Sequence, residues 1–264
     1  MISSLPTLFG RNRSVRRIAI FVEGQTEQLF VEKLLTLFAR NNDLTIESQK
    51  WFGGRRFPRI ILSIRTSPPK REERYFALIF DCGTDGRVTS DVLDQYQSLV
   101  AKGYEAIVAL RDVRPQFQAA DVPKLKSAFS QSVPKHPITP LLVLAVMEIE
   151  AWFIADYSHF ARIEASLTPQ HVGQSLNIDF ESHAIEGIAA PADLLEAVYA
   201  LGGATYDKSA KDVDRTIEAL DFDFLLSHLP TRAPNFEPLK HVLTEFFSGR
   251  LANWGRWAWQ RLCK

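Results

Sequence analysis

Residues 17–35, RIAIFVEGQTEQLFVEKLL, decide the fold of the first half of the chain. The apolar run Ile18–Val22 predicts a strand that is buried on both faces, and the periodic apolar residues after it predict a helix over Thr26–Ala39. Glu23, followed by a glycine, separates the two elements, and Glu27 stands one helical turn further on. The junction predicts an α/β fold and places a carboxylate directly at the end of a buried strand.

Three more apolar strands follow, and they alternate with helices. The strands are predicted over Tyr75–Phe80, Ala106–Leu110 and Leu141–Val146, and the helices over approximately Ser90–Ala101 and Pro123–Ser130. Strands that are apolar throughout and separated by helices indicate a parallel sheet with helices covering both faces. The sequence therefore predicts a Rossmann-like α/β domain.

The pattern changes along the chain, which suggests three parts. We expect residues 1–14 to form a flexible tail, residues 15–157 to form the α/β domain, and residues 158–264 to form a helical region packed on that domain. Between the first helix and the second strand, Ile60–Ile64 suggests an extra edge strand, and the rest of that segment is predicted to be an exposed loop.

Composition excludes several classes of protein. The 264 residues carry 31 basic and 31 acidic side chains, so net charge indicates no particular partner. Two cysteines, Cys82 and Cys263, are too few for a disulfide framework or a thiolate zinc site. No apolar run approaches the length of about 18 residues that a membrane span requires. We therefore expect a cytoplasmic protein without membrane contact.

Acidic residues follow all four predicted strands. Ligand sites in parallel sheets form beyond the carboxyl ends of the strands, so these side chains are expected to converge there. Converging carboxylates repel one another, and a hard divalent cation such as Mg²⁺ or Mn²⁺ would remove that conflict. The predicted metal ligands are Glu23, Asp81, Asp85, Asp112, Glu148 and Glu150.

Four stretches in this order resemble the Toprim domain, the metal-binding module of topoisomerases, primases and several nucleases. IFVEGQTE (residues 20–27) resembles its first motif, in which a strand ends in Glu-Gly. FALIFDCGTDG (76–86) is similar to the family's strand with a Gly-Thr turn, and IVALRDVRP (107–115) falls where Asp-x-Asp is expected. MEIEAWFIAD (147–156) resembles a motif of RloB-like Toprim proteins. The resemblance covers about residues 17–157.

The resemblance implies a Mg²⁺- or Mn²⁺-dependent nuclease. It implies Glu23 as general base or metal ligand, Asp112 as a ligand assisted by Asp81 or Asp85, and Glu148 or Glu150 completing the shell. Glu23, Asp112 and Glu150 are the expected catalytic residues. RloB-like proteins and OLD nucleases are often paired with an AAA- or ABC-type ATPase and linked to phage defence, so the resemblance also implies such a partner.

One residue departs from the family pattern. The second acid of Asp-x-Asp is Arg114 in this chain. A positive charge there either weakens a second metal site or serves as a phosphate clamp. Alternatively, the metal site is degenerate and the domain is a non-catalytic binding or effector subunit. A third hypothesis, a small-molecule phosphotransferase, depends only on the acidic edge of the sheet.

A basic segment lies between the first helix and the second strand. With Trp51, Phe52 and Phe57 interleaved, it fits a surface that contacts phosphates and stacks bases, and a solvated loop is the simpler alternative. The residues predicted to bind nucleic acid are Arg55, Arg56, Arg59, Arg65, Lys70, Arg71 and Arg74, together with Arg114.

Overall fold

The computed structural model describes residues 14–40, 43–54, 57–66 and 73–251, and for 52–54, 57–59, 64–66 and 85 it describes the backbone alone. Four of the predicted nucleic-acid-binding residues, Arg55, Arg56, Lys70 and Arg71, lie outside this part of the chain, as do Cys263 and nearly all of the predicted tail.

A mixed, mainly parallel sheet of six strands forms the centre of the fold, in the order β3-β2-β4-β1-β5-β6. All neighbouring pairs are parallel except β2 with β3, which form an antiparallel edge hairpin. The strands are β1 Arg16–Val22, β2 Leu44–Gly54, β3 Phe57–Thr66, β4 Tyr75–Asp81, β5 Ala106–Asp112 and β6 Leu141–Ala145.

The register of the parallel strands brings their carboxyl ends to one edge. Val22 of β1 pairs with Asp81 of β4 on one side and with Leu110 of β5 on the other, and Asp112 pairs with Ala145 of β6. Residues that follow these strands therefore lie side by side, because parallel strands in register end together. The parallel register is thus the reason that the acidic residues after these strands lie at one edge of the sheet.

The second strand was not predicted. The loop prediction is wrong for Leu44–Gly54, which pairs in parallel with β4, whereas the edge strand predicted at Ile60–Ile64 is present within β3. The local sequence is dominated by polar residues from Glu47 to Lys50, which weakens the apolar signal of a buried strand. Pairing with β4 supplies the backbone hydrogen bonds that make this segment a strand.

Helices cover both faces of the sheet. One face packs against α1 and the C-terminal helices, and the other against α2 and α3. The helices are α1 Gln25–Ala39, α2 Asp85–Ala101, α3 Val122–Ser132, α4 Glu150–Ala155, α5 Phe160–Ile163, α6 Pro169–Leu176, α7 Pro191–Ala200, α8 Ala210–Ala219, α9 Phe222–Arg232 and α10 Glu237–Ser248. Short 3₁₀ turns occupy Ala119–Asp121, Tyr157–His159, Ile185–Gly187 and Pro234–Phe236.

The C-terminal helices share a hydrophobic core with the sheet. The Phe30 ring of α1 stacks on Phe222 of α9 at 5.5 Å, and Trp152 of α4 packs edge-on against Phe236 at 5.0 Å. The Tyr75 hydroxyl of β4 donates a hydrogen bond to the Phe247 carbonyl. These contacts join the C-terminal region to α1, α4 and β4. No helix in the described ranges is long and apolar enough to span a bilayer.

Candidate active site

Glu23 and Asp112 meet at the carboxyl edge of the sheet. The backbone N–H of Asp112 lies 3.2 Å from Glu23 Oε2 and donates a hydrogen bond to it. Asp112 in turn accepts a hydrogen bond through Oδ1 from the N–H of Ile149, at 2.9 Å. This second bond holds the turn before α4 against the end of β5. Two carboxylates from adjacent strands are thereby placed together at the predicted edge.

Glu27 points back toward the strand end. Its Oε2 accepts a hydrogen bond from the backbone N–H of Gly24 at 3.0 Å, which satisfies one donor at the start of α1. The side chain is almost fully buried. Burial and the neighbouring Glu150 carboxylate raise the pKa of Glu27 to about 7. Glu27 therefore combines a capping role with a position beside the other acids.

Glu150, the first residue of α4, is completely buried. Its Oε1 accepts a hydrogen bond from the Tyr206 hydroxyl at 2.8 Å and lies 3.3 Å from Lys208 Nζ. The other oxygen, Oε2, is buried and has no hydrogen-bond partner among the described residues. A buried carboxylate oxygen left without a partner is costly. Such an oxygen is a candidate for binding a ligand.

The acid cluster, defined here as Glu23, Glu27, Asp112 and Glu150, has a strong internal repulsion. Burial, followed by the carboxylates of Glu27, Glu150 and Glu23, holds the pKa of Asp112 well above its usual range. Carboxylates in such surroundings favour protonation or a bound cation because either one reduces the negative charge. The cluster is therefore a place where a positive charge is stabilised.

Two basic side chains, Arg114 and Lys208, lie beside the acid cluster and pair with Glu148. Lys208 Nζ lies 3.4 Å from Glu148 Oε1, and the Arg114 guanidinium lies 3.7 Å from Glu148 Oε2, which also accepts a hydrogen bond from the N–H of Ala192 at 3.0 Å. Burial alone would lower the pKa of Lys208, but the carboxylates of Glu150, Glu148 and Asp112 raise it above its ordinary value. Lys208 is therefore a permanent cation at this edge.

Other predicted site residues are placed apart from the acid cluster. The Asp81 carboxylate pairs with Lys50 Nζ at 2.9 Å and accepts a hydrogen bond from the N–H of Gly83, so both of its oxygens are engaged. Asp85 opens α2, and its side chain lies outside the described part. The structure thus brings together three of the six predicted ligands and places Glu148 beside them.

The predicted nucleic-acid-binding residues are spread over two edges. Arg114 pairs with Glu148, which places it beside the acid cluster. Arg74 precedes β4 and lies at the amino edge, on the opposite side of the sheet. Arg59 and Arg65 belong to the edge strand β3, and only their backbone is described.

The donor chemistry of the acid cluster suits a hard cation. Carboxylate oxygens are the ligands that Mg²⁺ prefers, and Glu150 Oε2 is an unpartnered one. Within the described residues, however, no group of three or more His, Cys, Asp or Glu side chains is placed so that it could hold a metal ion. A cation bound there would therefore have fewer than three of these side chains as ligands.

Three residues of the site were not predicted. Glu27 could have been found from the sequence, because it lies in the first turn of α1, four residues after Glu23. Tyr206 and Lys208 come from the α7–α8 connection, and their sequence offers no sign of contact with Glu150. Only the packing of the C-terminal helices against α4 brings them to the edge.

No family model, curated protein or solved structure matches this chain. The geometry of the carboxyl edge and the local resemblance to Toprim motifs are thus the two observations from which a function can be argued.

Proposed function

We propose that this protein is a Mg²⁺-dependent phosphodiesterase of the Toprim type that cleaves DNA or RNA. The observation that carries the proposal is the acid cluster at the carboxyl ends of β1 and β5, with a buried and unpartnered oxygen on Glu150. Clustered carboxylates of this kind are the ligands through which Mg²⁺ is held in enzymes that act on phosphate esters.

Asp112 would hold the metal, and Glu23, which lies beside it at the adjacent strand end, would serve as a ligand or as the base. Glu150 would supply the third carboxylate of the proposed catalytic set, and it contacts Tyr206 and Lys208. When bound, Mg²⁺ or Mn²⁺ supplies Lewis-acid stabilisation of the phosphate charge. The absence of a preformed group of three ligands among the described residues is consistent with substrate oxygens completing the coordination.

The reaction is hydrolysis of a phosphodiester. A water oxygen forms a new bond to phosphorus, and the bond from phosphorus to one sugar oxygen breaks, with its electron pair remaining on that oxygen. A carboxylate of the acid cluster accepts the proton of the attacking water, and the departing oxygen takes up a proton. Glu23 is our choice for the base because it is the most exposed of the four acids.

Nucleic acid is favoured over a small phosphate ester by the surrounding basic residues. Lys50, Arg114 and Lys208 are partly exposed at the same edge and come from three different parts of the fold. Cations along a groove contact successive phosphates of a strand and make affinity dependent on salt.

A second candidate function is a non-catalytic effector subunit. The ion pair between Arg114 and Glu148 favours it, because it removes one carboxylate from metal binding. The Toprim resemblance supports an AAA- or ABC-type ATPase partner, in a phage-defence role, for either function. Activity that appears only after the ATPase is added would assign the chain to a two-component enzyme.

Isothermal titration with Mn²⁺ and Mg²⁺, followed by a cleavage assay on mixed-sequence DNA and RNA oligonucleotides, tests the proposal. We expect metal binding and metal-dependent cleavage by the wild type, and loss of both in Asp112→Asn. Absence of cleavage together with no measurable metal binding would favour the effector subunit, whose metal site is degenerate. Failure to bind either metal would contradict the phosphodiesterase.

A further inference from the structure

Glu148 occupies an unusual position for a predicted metal ligand, because both of its oxygens are already engaged. Lys208 Nζ lies 3.4 Å from Oε1, and Oε2 accepts from the Ala192 N–H at 3.0 Å and faces the Arg114 guanidinium at 3.7 Å. The Glu148 side chain is only 14% exposed. A carboxylate held by a backbone donor and two cations is poorly placed to bind a metal ion as well.

The backbone fixes Arg114 in this position. The carbonyl of Met147 accepts hydrogen bonds from the N–H groups of Val113 at 3.2 Å and Arg114 at 2.9 Å. Met147 itself has a φ of 65°, in the left-handed region that a non-glycine residue adopts only at some cost. The segment after β5 is thus tied to the segment after β6, and the Arg114 side chain is presented beside Glu148.

Lys208 reaches the same place from the C-terminal region. Its backbone is also left-handed, with a φ of 59°, and its ammonium bridges Glu148 and Glu150. Two residues earlier, the Tyr206 hydroxyl donates to Glu150 Oε1 and anchors the connection. The side chains of Arg114 and Lys208 remain 33% and 42% exposed, so a ligand arriving at the edge can contact both.

Charge supports a single metal ion. The acid cluster and Glu148 contribute five carboxylates, and Arg114 and Lys208 contribute two positive charges, which leaves a formal charge of minus three before any protonation. One divalent cation reduces this to minus one. A second divalent cation would change the formal charge to plus one, and the positive charges of Arg114 and Lys208 would repel it.

We propose that the site operates with one divalent cation and that Arg114 and Lys208, both held on Glu148, form a phosphate-contacting pair in place of a second metal ion. This inference depends on the proposed phosphodiesterase function. Positive groups fixed where negative charge develops stabilise a transition state without rearranging during the reaction. In the hydrolysis described above, the pair would neutralise the charge that grows on the phosphate oxygens, and both residues would be catalytic.

Two neutral variants, Arg114→Gln and Lys208→Met, test the pair. Wild-type protein should bind one Mn²⁺ per chain in isothermal titration. Each variant should lower kcat on mixed-sequence oligonucleotides or on bis(p-nitrophenyl) phosphate on the order of 100-fold. Lys208→Met should bind Mn²⁺ more tightly, since it removes a positive charge that lies beside Glu150 and Glu148. A merely structural lysine would not give these opposite effects on kcat and on metal affinity.

Lys211→Met, an exposed substitution in α8, is the matched control and should leave both quantities unchanged. If a neutral variant unfolds, Arg114→Lys and Lys208→Arg keep the charge and should retain more activity than Arg114→Asp, which should be inactive. Two Mn²⁺ per wild-type chain, wild-type kcat in either neutral variant, or higher activity in Arg114→Asp would overturn the inference while leaving the phosphodiesterase intact. A wild type that neither binds Mn²⁺ nor cleaves would instead refute the proposed function itself.

Discussion

The backbone N–H of Asp112 donates a hydrogen bond of 3.2 Å to Oε2 of Glu23, which joins the end of β5 to the residue that follows β1. Asp112 Oδ1 also accepts from the Ile149 N–H before α4. One aspartate therefore links the three chain segments that carry Glu23, Asp112 and Glu150. The β5–α4 link uses the Asp112 carboxylate and the Ile149 backbone, so substitution of the Glu23 side chain leaves it in place.

Glu23→Gln should abolish cleavage and leave the fold intact. The amide has nearly the same volume and keeps an oxygen that can accept from the Asp112 N–H, but it is a weak metal ligand and a poor base. Cleavage assays and thermal unfolding would measure the two effects. Glu196→Gln, the same change at an exposed position of α7, should behave as the wild type in both assays. A large drop in Tm with Glu23→Gln would indicate a structural role.

Tyr206→Phe should destabilise the protein by about 1–3 kcal/mol, because it removes the hydroxyl donor to a fully buried carboxylate. Urea unfolding would measure the loss. Tyr157→Phe is the matched control, since its hydroxyl also donates to a glutamate, Glu181, but at 3.3 Å on the surface. That variant should lose roughly 0.5 kcal/mol or less. Equal losses in the two variants would contradict the strong role that we assign to Tyr206.

Phe236→Ala should cost about 3–5 kcal/mol, because it leaves a cavity beside Trp152 in the shared core. If the C-terminal helices and the sheet form one cooperative unit, circular dichroism and tryptophan fluorescence should report a single unfolding transition, at a lower urea concentration than for the wild type. Phe224→Ala, which removes a half-buried ring stacked on His228, should cost much less. Separate transitions for the two signals would show that the parts fold independently.

His159 should make stability depend on pH. It is fully buried, with Nδ1 2.6 Å from the Asp156 carbonyl and Nε2 2.8 Å from the Tyr199 hydroxyl. Burial lowers the pKa of His159 to about 3. Between about pH 6.5 and about pH 3, His159 is protonated in the unfolded chain but not in the folded one. Acidification across this range therefore lowers the free energy of unfolding by about 1.4 kcal/mol per pH unit.

The His159 contribution can be isolated with His159→Gln. The free energy of unfolding of the wild type relative to this variant should fall as pH decreases from about 7 to about 5. The comparison is needed because Asp156 and Glu186 have raised pKa values from burial and favour the folded state as pH falls. A constant difference across this range would mean that His159 takes up its proton equally in the folded and unfolded chains, so that its pKa is not lowered by folding.

The sequence predicted the β1–α1 junction and the acidic edge because both depend on local pattern. An apolar run as short as Ile18–Val22, followed by Glu-Gly and a periodic helix, allows few alternative structures. The parallel register pairs Val22 with Leu110, which places Glu23 at the end of β5, where it accepts a hydrogen bond from Asp112. Leu44–Gly54 was missed since its polar residues follow no buried pattern, and it is a strand through its pairing with β4.

Tertiary structure alone decided which acids became a cluster. Asp81 has the same sequence signal as Asp112, a carboxylate at the end of an apolar strand, yet it pairs with Lys50 of the neighbouring strand. Lys208 and Tyr206 reach Glu150 across more than 50 residues of sequence because the C-terminal helices pack on α4. Local pattern determines where a strand ends, whereas the charge that a carboxylate meets there depends on which distant side chains the packed core brings within a few ångströms.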